Sequence, residues 1–204
     1  MTEYDKIRLV NKSYPMKSGE IPKELWIPNI LFVEDVNNIG YEEGVHIQEK
    51  RYLVRECGMC LEKMIGDGKK LGYAIIGVSG YRSYDRQKVV YDTSLSTKGK
   101  IHTEKYIAKA GTSEHQTGLA IDITTEEVGY ELIEKFVETK EYRWLIENCA
   151  NYGFIIRYPK GKEQITGYEF EPWHLRYVGR TVAEEIMKHH LTLEEFWQVR
   201  KRGK

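Results

Sequence analysis

Apolar residues along this chain change their spacing several times, and each change marks an element. Between about Val45 and about Ile65 they recur at helical intervals, with Leu53, Cys57, Cys60, Leu61 and Met64 on one stripe and Gly66-Asp67-Gly68 as the expected stop. Tyr73 to Val78 is instead a continuous β-rich run. Ser79-Gly80 behind it allows an abrupt turn into a second helix from about Tyr84, with Ser83 as its N-cap. A short helix is expected from Glu104 to Lys109, closed by Gly111. Strand patterns recur at Leu119–Ile123, Gly153–Arg157 and Trp173–Val178, separated by helical stretches around Glu126–Val137 and Glu141–Asn151. Two helices, Thr181–His189 and Leu193–Arg200, close the chain, while Pro15, Pro22 and Pro28 make its first forty residues read as an extended arm. The strands are few and short and lack a regular βαβ beat, so the pattern predicts an α+β fold with a small, mainly antiparallel sheet flanked by helices.

At 204 residues the chain is long enough to bury a sizeable core but short for two independent domains. One domain over 1–204 is expected, with 1–44 packed on it as the arm. Basic and acidic residues balance at 31 each, which argues against a nucleic-acid partner, since phosphate binding shows itself as a basic stripe. Glu3, Asp5, Lys6 and Arg8 leave no apolar run for a secretory leader, and no later stretch is long and uncharged enough to span a bilayer, so a cytoplasmic location is expected. Three cysteines, an odd count, fit a reducing compartment better than a disulfide framework. Cys57-Gly58-Met59-Cys60 does spell C-x-x-C. Its helical phase nevertheless puts both thiols on an apolar face, and Cys149 lies in another helical pattern, so all three are expected to be buried packing residues.

The candidate chemistry lies in His115-Gln116-Thr117-Gly118-Leu119-Ala120-Ile121-Asp122 and, far downstream, Glu171-Pro172-Trp173-His174. Together they hold three possible metal ligands and a further carboxylate, the inventory that metal-assisted hydrolysis requires. Asp122 sits in an apolar strand, where an ionised carboxylate must pair with a cation, accept several hydrogen bonds or bind a metal; spacing alone leaves these open. A lone histidine in a strand such as that of His174 is commonly a satisfied core residue. Glu171, three residues earlier, shifts the weighting toward a ligand with a base beside it. Arg82 falls at a strand-to-helix junction, where it either caps a turn or aims its guanidinium at an oxyanion or carboxylate; Gln87 and Ser113 would add hydrogen bonds. His46, His102, His189 and His190 lack comparable settings and read as surface or partly buried residues.

Taken together, Ser113-x-His115-x-x-Gly118-x-Ala120-x-Asp122, Glu171-x-Trp173-His174-x-Arg176-Tyr177-Val178-Gly179 and Ser79-Gly80-Tyr81-Arg82-Ser83 resemble the zinc D,D-peptidases of the vancomycin-resistance type. Leu9-Val10-Asn11-Lys12 with Pro15, Tyr152 to Pro159 and Ile165-Thr166-Gly167 extend the resemblance over nearly the whole chain, nearest to the bifunctional D,D-dipeptidase/D,D-carboxypeptidases. The resemblance implies a Hedgehog/D,D-peptidase type fold, Zn2+ held by His115, Asp122 and His174, Glu171 as catalytic base and Arg82 as the group that steadies the tetrahedral intermediate. Ser113 and Gln87 match substrate-binding positions. The implied substrate is a peptidoglycan precursor ending in D-Ala-D-Ala, whose hydrolysis would give glycopeptide resistance.

Ser79 stands where some bifunctional relatives carry an acid able to meet the ammonium of a free dipeptide, so removal of D-Ala from a longer precursor is expected ahead of dipeptide cleavage. An L,D-carboxypeptidase acting on peptidoglycan stems is the enzymatic alternative. A non-catalytic, zinc-stabilised binding module is the other, and the joint presence of Glu171 and Arg82 argues against it. The polar stretch from Lys160 to Glu169 is expected near the cleft because it immediately precedes Glu171.

Overall fold

A computed structural model describes residues 2–36 and 48–202. His46, positions 37–44 of the arm and the first residues of the helix expected from Val45 lie outside the described residues. The arm contains one helical turn, α1 (Glu3–Lys6), a two-residue strand β1 (Leu25–Trp26) and a short helix α2 (Val33–Val36). β1 pairs antiparallel with β2 (Leu53–Val54), Leu25 opposite Val54, so the arm is stitched to the chain just ahead of helix α3 (Arg55–Lys70).

The described helix therefore begins later than its periodicity implies, because Leu53 and Val54 are extended to pair with Trp26 and Leu25. It also runs through Gly66 and Gly68 rather than stopping there. Gly68 is needed for packing: a Cβ at this position would lie 3.1 Å from the ring of Trp144. After β3 (Ile76–Ser79) comes α4 (Tyr84–Tyr106), where Ser83 accepts a hydrogen bond from the Arg86 amide as predicted. The expected Glu104–Lys109 helix is instead absorbed into α4, which kinks at Gly99 (φ 78°) and ends at Tyr106. A hydrogen bond of 2.9 Å between the buried hydroxyls of Ser94 and Thr103 ties the two halves across the kink.

The remaining elements are β4 (Ala120–Thr124), α5 (Lys140–Asn148), β5 (Phe154–Tyr158), the short α6 (Glu163–Thr166), β6 (Glu171–Tyr177), α7 (Arg180–Lys188) and α8 (Leu193–Arg202). Glu126–Val128 and Glu134–Glu138 form 3-10 turns in place of a continuous helix. Four strands make an antiparallel sheet in the order β3-β4-β6-β5, in accord with the α+β expectation. The sheet is covered on both sides, which explains the near-continuous apolar runs. In β5, Phe154 and Ile156 enter the core shared with α3 and α5, whereas Ile155 joins Val182, Ala183, Ile186, Leu193 and Phe196 of the closing helices.

Cys57 and Cys149 are buried, and burial pushes both thiols up, Cys149 to about 12. Cys60 is half-buried with Sγ 3.6 Å from the Tyr177 hydroxyl. Packing accounts for all three. Among the described residues no helix is long and apolar enough to cross a membrane.

The helical phase of α3 is directly testable. Leu61 is fully buried and Met59 is 55% exposed. Leu61→Ala should lose about 2–5 kcal/mol in urea unfolding, whereas Met59→Ala should stay within about 0.5 kcal/mol of wild type; equal losses would contradict the assigned face.

Candidate metal centre and its cleft

The sheet register assembles the centre. Asp122 of β4 stands opposite His174 of β6, and Ser79 of β3 stands opposite Asp122 on its other side. Directly opposed residues project to the same face, so the carboxylate and the imidazole meet without a loop to carry either. His115 arrives from the 3-10 turn Glu114–Thr117, which Gly118 ends in the left-handed region (φ 66°) just before β4 begins. Side chains of Leu25 and Val54 lie 3.1 Å from where a Cβ on Gly118 would stand, so the turn is pressed against the β1-β2 pair.

His115 Nε2 is 3.2 Å from Asp122 Oδ2, and His174 Nδ1 is 3.1 Å from Asp122 Oδ1. One donor atom from each of the three residues lies within 4.8 Å of the others, and all three side chains are buried. His115 Nδ1 is 2.7 Å from the Gly80 carbonyl, which only accepts, so Nδ1 carries the proton and Nε2 presents its lone pair to the centre. Asp122 Oδ1 is buried and makes no hydrogen bond. Two imidazole nitrogens and an incompletely satisfied carboxylate form the donor set that zinc takes, so these residues fit the ion that the sequence implies.

Glu171 reaches the same place through an irregularity. Strict alternation along β6 would send residues three apart to opposite faces. The β5-β6 register shifts between Ile156–Leu175 and Tyr158–Glu171, with two more residues on β6 than on β5, and Glu171 Oε2 comes to 3.6 Å from His174 Nδ1. Arg82 lies opposite. It donates to Gln87 Oε1 at 2.8 Å and Ser79 Oγ at 3.2 Å, and its Nη2 is 3.8 Å from Asp122 Oδ2. Gln87 in turn donates through Nε2 to the Ala108 carbonyl at 2.7 Å. Both ends of its amide are thereby used to orient Arg82. Ser113 is buried in the cleft wall, so all eight residues singled out in the sequence converge on one region.

The cleft has a volume of about 490 Å³ and runs beyond the centre between the kinked half of α4, including His102 and Tyr106, and a wall formed by Leu132, Ile133 and Trp173. Tyr168 lines it too, so the end of the 160–169 stretch reaches the cleft. His189 and His190 are exposed.

Sequence reasoning missed the charges behind the centre. Glu114 is fully enclosed and pairs with Arg157 Nε at 2.7 Å and Arg176 Nη1 at 2.8 Å. Arg157 grips Glu194 with two bonds of 2.6 and 2.9 Å, and Arg176 donates at 2.9 Å to the carbonyls of both Lys6 and Arg8 in the arm. The available signal was the one that identified Asp122: a charge inside an apolar run, here Ile155-Ile156-Arg157 and Leu175-Arg176-Tyr177.

These surroundings shift the titrations in opposite directions. Burial raises Glu171 to about 8, helped by the Asp122 and Glu114 charges and opposed by His174 and Arg82. Burial alone would lower His174, but the adjacent Asp122 and Glu114 carboxylates lift it to about 9. Burial lowers His115. Asp122 and Glu114 resist the upward pull of burial: His115 and His174 hold the first, and Arg157 and Arg176 the second, well below the usual carboxylate range.

The VanY family, described as D-alanyl-D-alanine carboxypeptidase, matches residues 50–180. The chain is 46% identical over 192 residues to the putative carboxypeptidase YodJ of Bacillus subtilis strain 168, covering 94% of this chain and 67% of that protein. Among solved structures, the LD-carboxypeptidase LdcB superposes with a TM-score of 0.84 at 46% identity, covering 95% of this chain and 86% of that one. The vancomycin-resistance D,D-pentapeptidase VanY, solved as a mutant in complex with Zn(II), superposes with a TM-score of 0.71 at 30% identity, covering 95% and 99%.

The depressed carboxylates set an acid limit. Stability from a carboxylate whose folded value lies below its unfolded one is complete above the unfolded value and is lost as pH falls toward the folded one. For Glu114 the unfolded value is near 4.5. Thermal melts of the metal-free protein should therefore fall progressively as pH drops below about 4.5; a melting temperature that stayed level down to pH ~3 would contradict the charge assignment.

Proposed function

Because the chain belongs to the VanY family of D-alanyl-D-alanine carboxypeptidases, we propose that it is a zinc-dependent carboxypeptidase that removes a C-terminal D-alanine from peptidoglycan-type peptides. The observation that carries this reading is the convergence of His115, Asp122 and His174 with Glu171 and Arg82 in one cleft. A structural metal needs no base and no guanidinium at its side. VanY with Zn(II) bound supports zinc as the ion.

In this reading His115 Nε2, Asp122 and His174 Nδ1 hold the zinc. When bound, the ion supplies Lewis acidity to the scissile carbonyl and lowers the pKa of water. Glu171, enclosed at the start of β6 and favoured in its ionised form by a dication beside it, receives the proton of the attacking water on its carboxylate and returns it to the departing amine of D-alanine. Arg82, fixed by Gln87 and Ser79, keeps its remaining donors toward the negative charge that grows on the carbonyl oxygen. Ser113 offers a hydroxyl to the substrate backbone. Trp173, Ile133 and Tyr168 line the cleft and offer apolar surface to the substrate.

Two substrate stereochemistries compete. The family description favours D-Ala-D-Ala ends, as in pentapeptide precursors, and activity there would lower susceptibility to glycopeptides. The greater identity to LdcB favours the L,D bond of tetrapeptide stems. Ser79 offers no charge to the ammonium of a free dipeptide, so either longer peptide is a better substrate than D-Ala-D-Ala itself.

Zinc-loaded protein incubated separately with pentapeptide, tetrapeptide and free dipeptide should release D-alanine from at least one of the longer peptides, and faster than from the dipeptide. No release from any of the three, with zinc bound, would overturn the proposed activity. Glu171→Gln should retain zinc while losing about 10²- to 10⁴-fold in kcat; loss of zinc from this variant would show that Glu171 is a ligand instead.

A further inference from the structure

Two buried polar atoms without hydrogen-bond partners face each other behind the centre. They are Glu114 Oε2 and His174 Nε2, 3.9 Å apart. Glu114 is not free to turn its second oxygen elsewhere, because Oε1 is held by Arg157 and Arg176, both fully buried. Those guanidiniums are anchored in turn, Arg157 by Glu194 and Arg176 by the carbonyls of Lys6 and Arg8. The imidazole is confined as well, its centroid lying 4.9 Å from the rings of Tyr158 and His115. A shift of about 1 Å along the remaining direction closes the gap to an ordinary N–H···O bond.

We propose that Glu114 is a positioning residue for His174, accepting its Nε2–H so that Nδ1 stays bare and aimed at Asp122; this rests on the reading of His115, Asp122 and His174 as a zinc site. The chemistry follows from the imidazole itself. A neutral ring carries one proton, and an acceptor fixed at Nε2 assigns it there. Nδ1 then keeps its lone pair, and the carboxylate increases its basicity toward a metal. The arrangement also gives the buried cluster a purpose beyond stability. An apolar set of similar volume is generally at least as stable as buried ion pairs, but it could not present an acceptor to His174.

The test compares zinc affinity by competition with a chromophoric chelator for wild type, Glu114→Gln and Glu194→Gln, after circular dichroism of each metal-free protein has verified its fold. Glu114→Gln should weaken zinc by about 10- to 100-fold. Glu194→Gln, which disturbs the same arginines without facing His174, should bind zinc close to the wild-type affinity. Unchanged affinity in Glu114→Gln, or equal weakening in both variants, would overturn the assignment. Failure of the wild type to bind zinc would instead strike the metal reading, and this proposal with it. If Glu114→Gln does not fold, nitrogen-15 NMR of the zinc-loaded wild type decides: a His174 Nε2 proton protected from solvent exchange supports the proposal, and an unprotonated or rapidly exchanging Nε2 overturns it.

Discussion

The register of β4 against β6 governs both the centre and the core. Asp122 lies opposite His174, and one step along, Ile121 lies opposite Leu175. Side chains alternate across a strand, so the first pair meets at the cleft while the second is fully buried in the apolar core. A slip of one residue would move Ile121 toward the cleft and drive Asp122 into the core, where an unpaired carboxylate is costly. The same apolar packing that stabilises the sheet therefore fixes the ligand geometry.

Around this register the molecule distributes its charges in layers. Nearest the cleft, Asp122 stands between two imidazoles and Arg82, while Glu171 is enclosed beside His174. Behind it, Glu114, Arg157, Arg176 and Glu194 carry two negative and two positive charges in a fully or largely buried set. Asn11 adds a 3.0 Å bond to Glu194, and Arg176 holds the carbonyls of Lys6 and Arg8. Arm, sheet and closing helix are thus joined through groups one contact removed from His174. Removing a single member of such a set leaves an uncompensated buried charge, which costs stability.

Much of this was open to sequence reasoning. Short, β-rich apolar runs located all four strands of the main sheet to within a few residues, and the Ser83 cap located the start of α4. Asp122 stood out because a carboxylate in an apolar strand demands a partner, His115, His174 and Glu171 because they complete the ligands and base of metal-assisted hydrolysis, and Arg82 because the stretch from Ser79 to Ser83 resembles the zinc D,D-peptidases. Other features misled for identifiable reasons. Gly66 and Gly68 read as a helix stop because glycine is a weak helix former, but Trp144 packs against the space that Gly68 leaves. Glu104 to Lys109 read as a separate short helix, whereas α4 kinks at Gly99 and continues to Tyr106. Gln87, which the resemblance matched to a substrate-binding position, lines the cleft and engages Arg82 and the Ala108 carbonyl with the two ends of its amide.

The amino-acid order alone supplied the inventory: which segments become strands, which buried polar residues require partners, and which donor types are present for a metal. Folding chose the partners. Glu171 meets His174 through a register irregularity between β5 and β6, and Glu114 faces His174 from 60 positions earlier in the chain. Periodicity reports only the local backbone and the face on which a residue lies. Such encounters depend on strand register, ring orientation and the anchoring of distant arginines, which long-range packing settles.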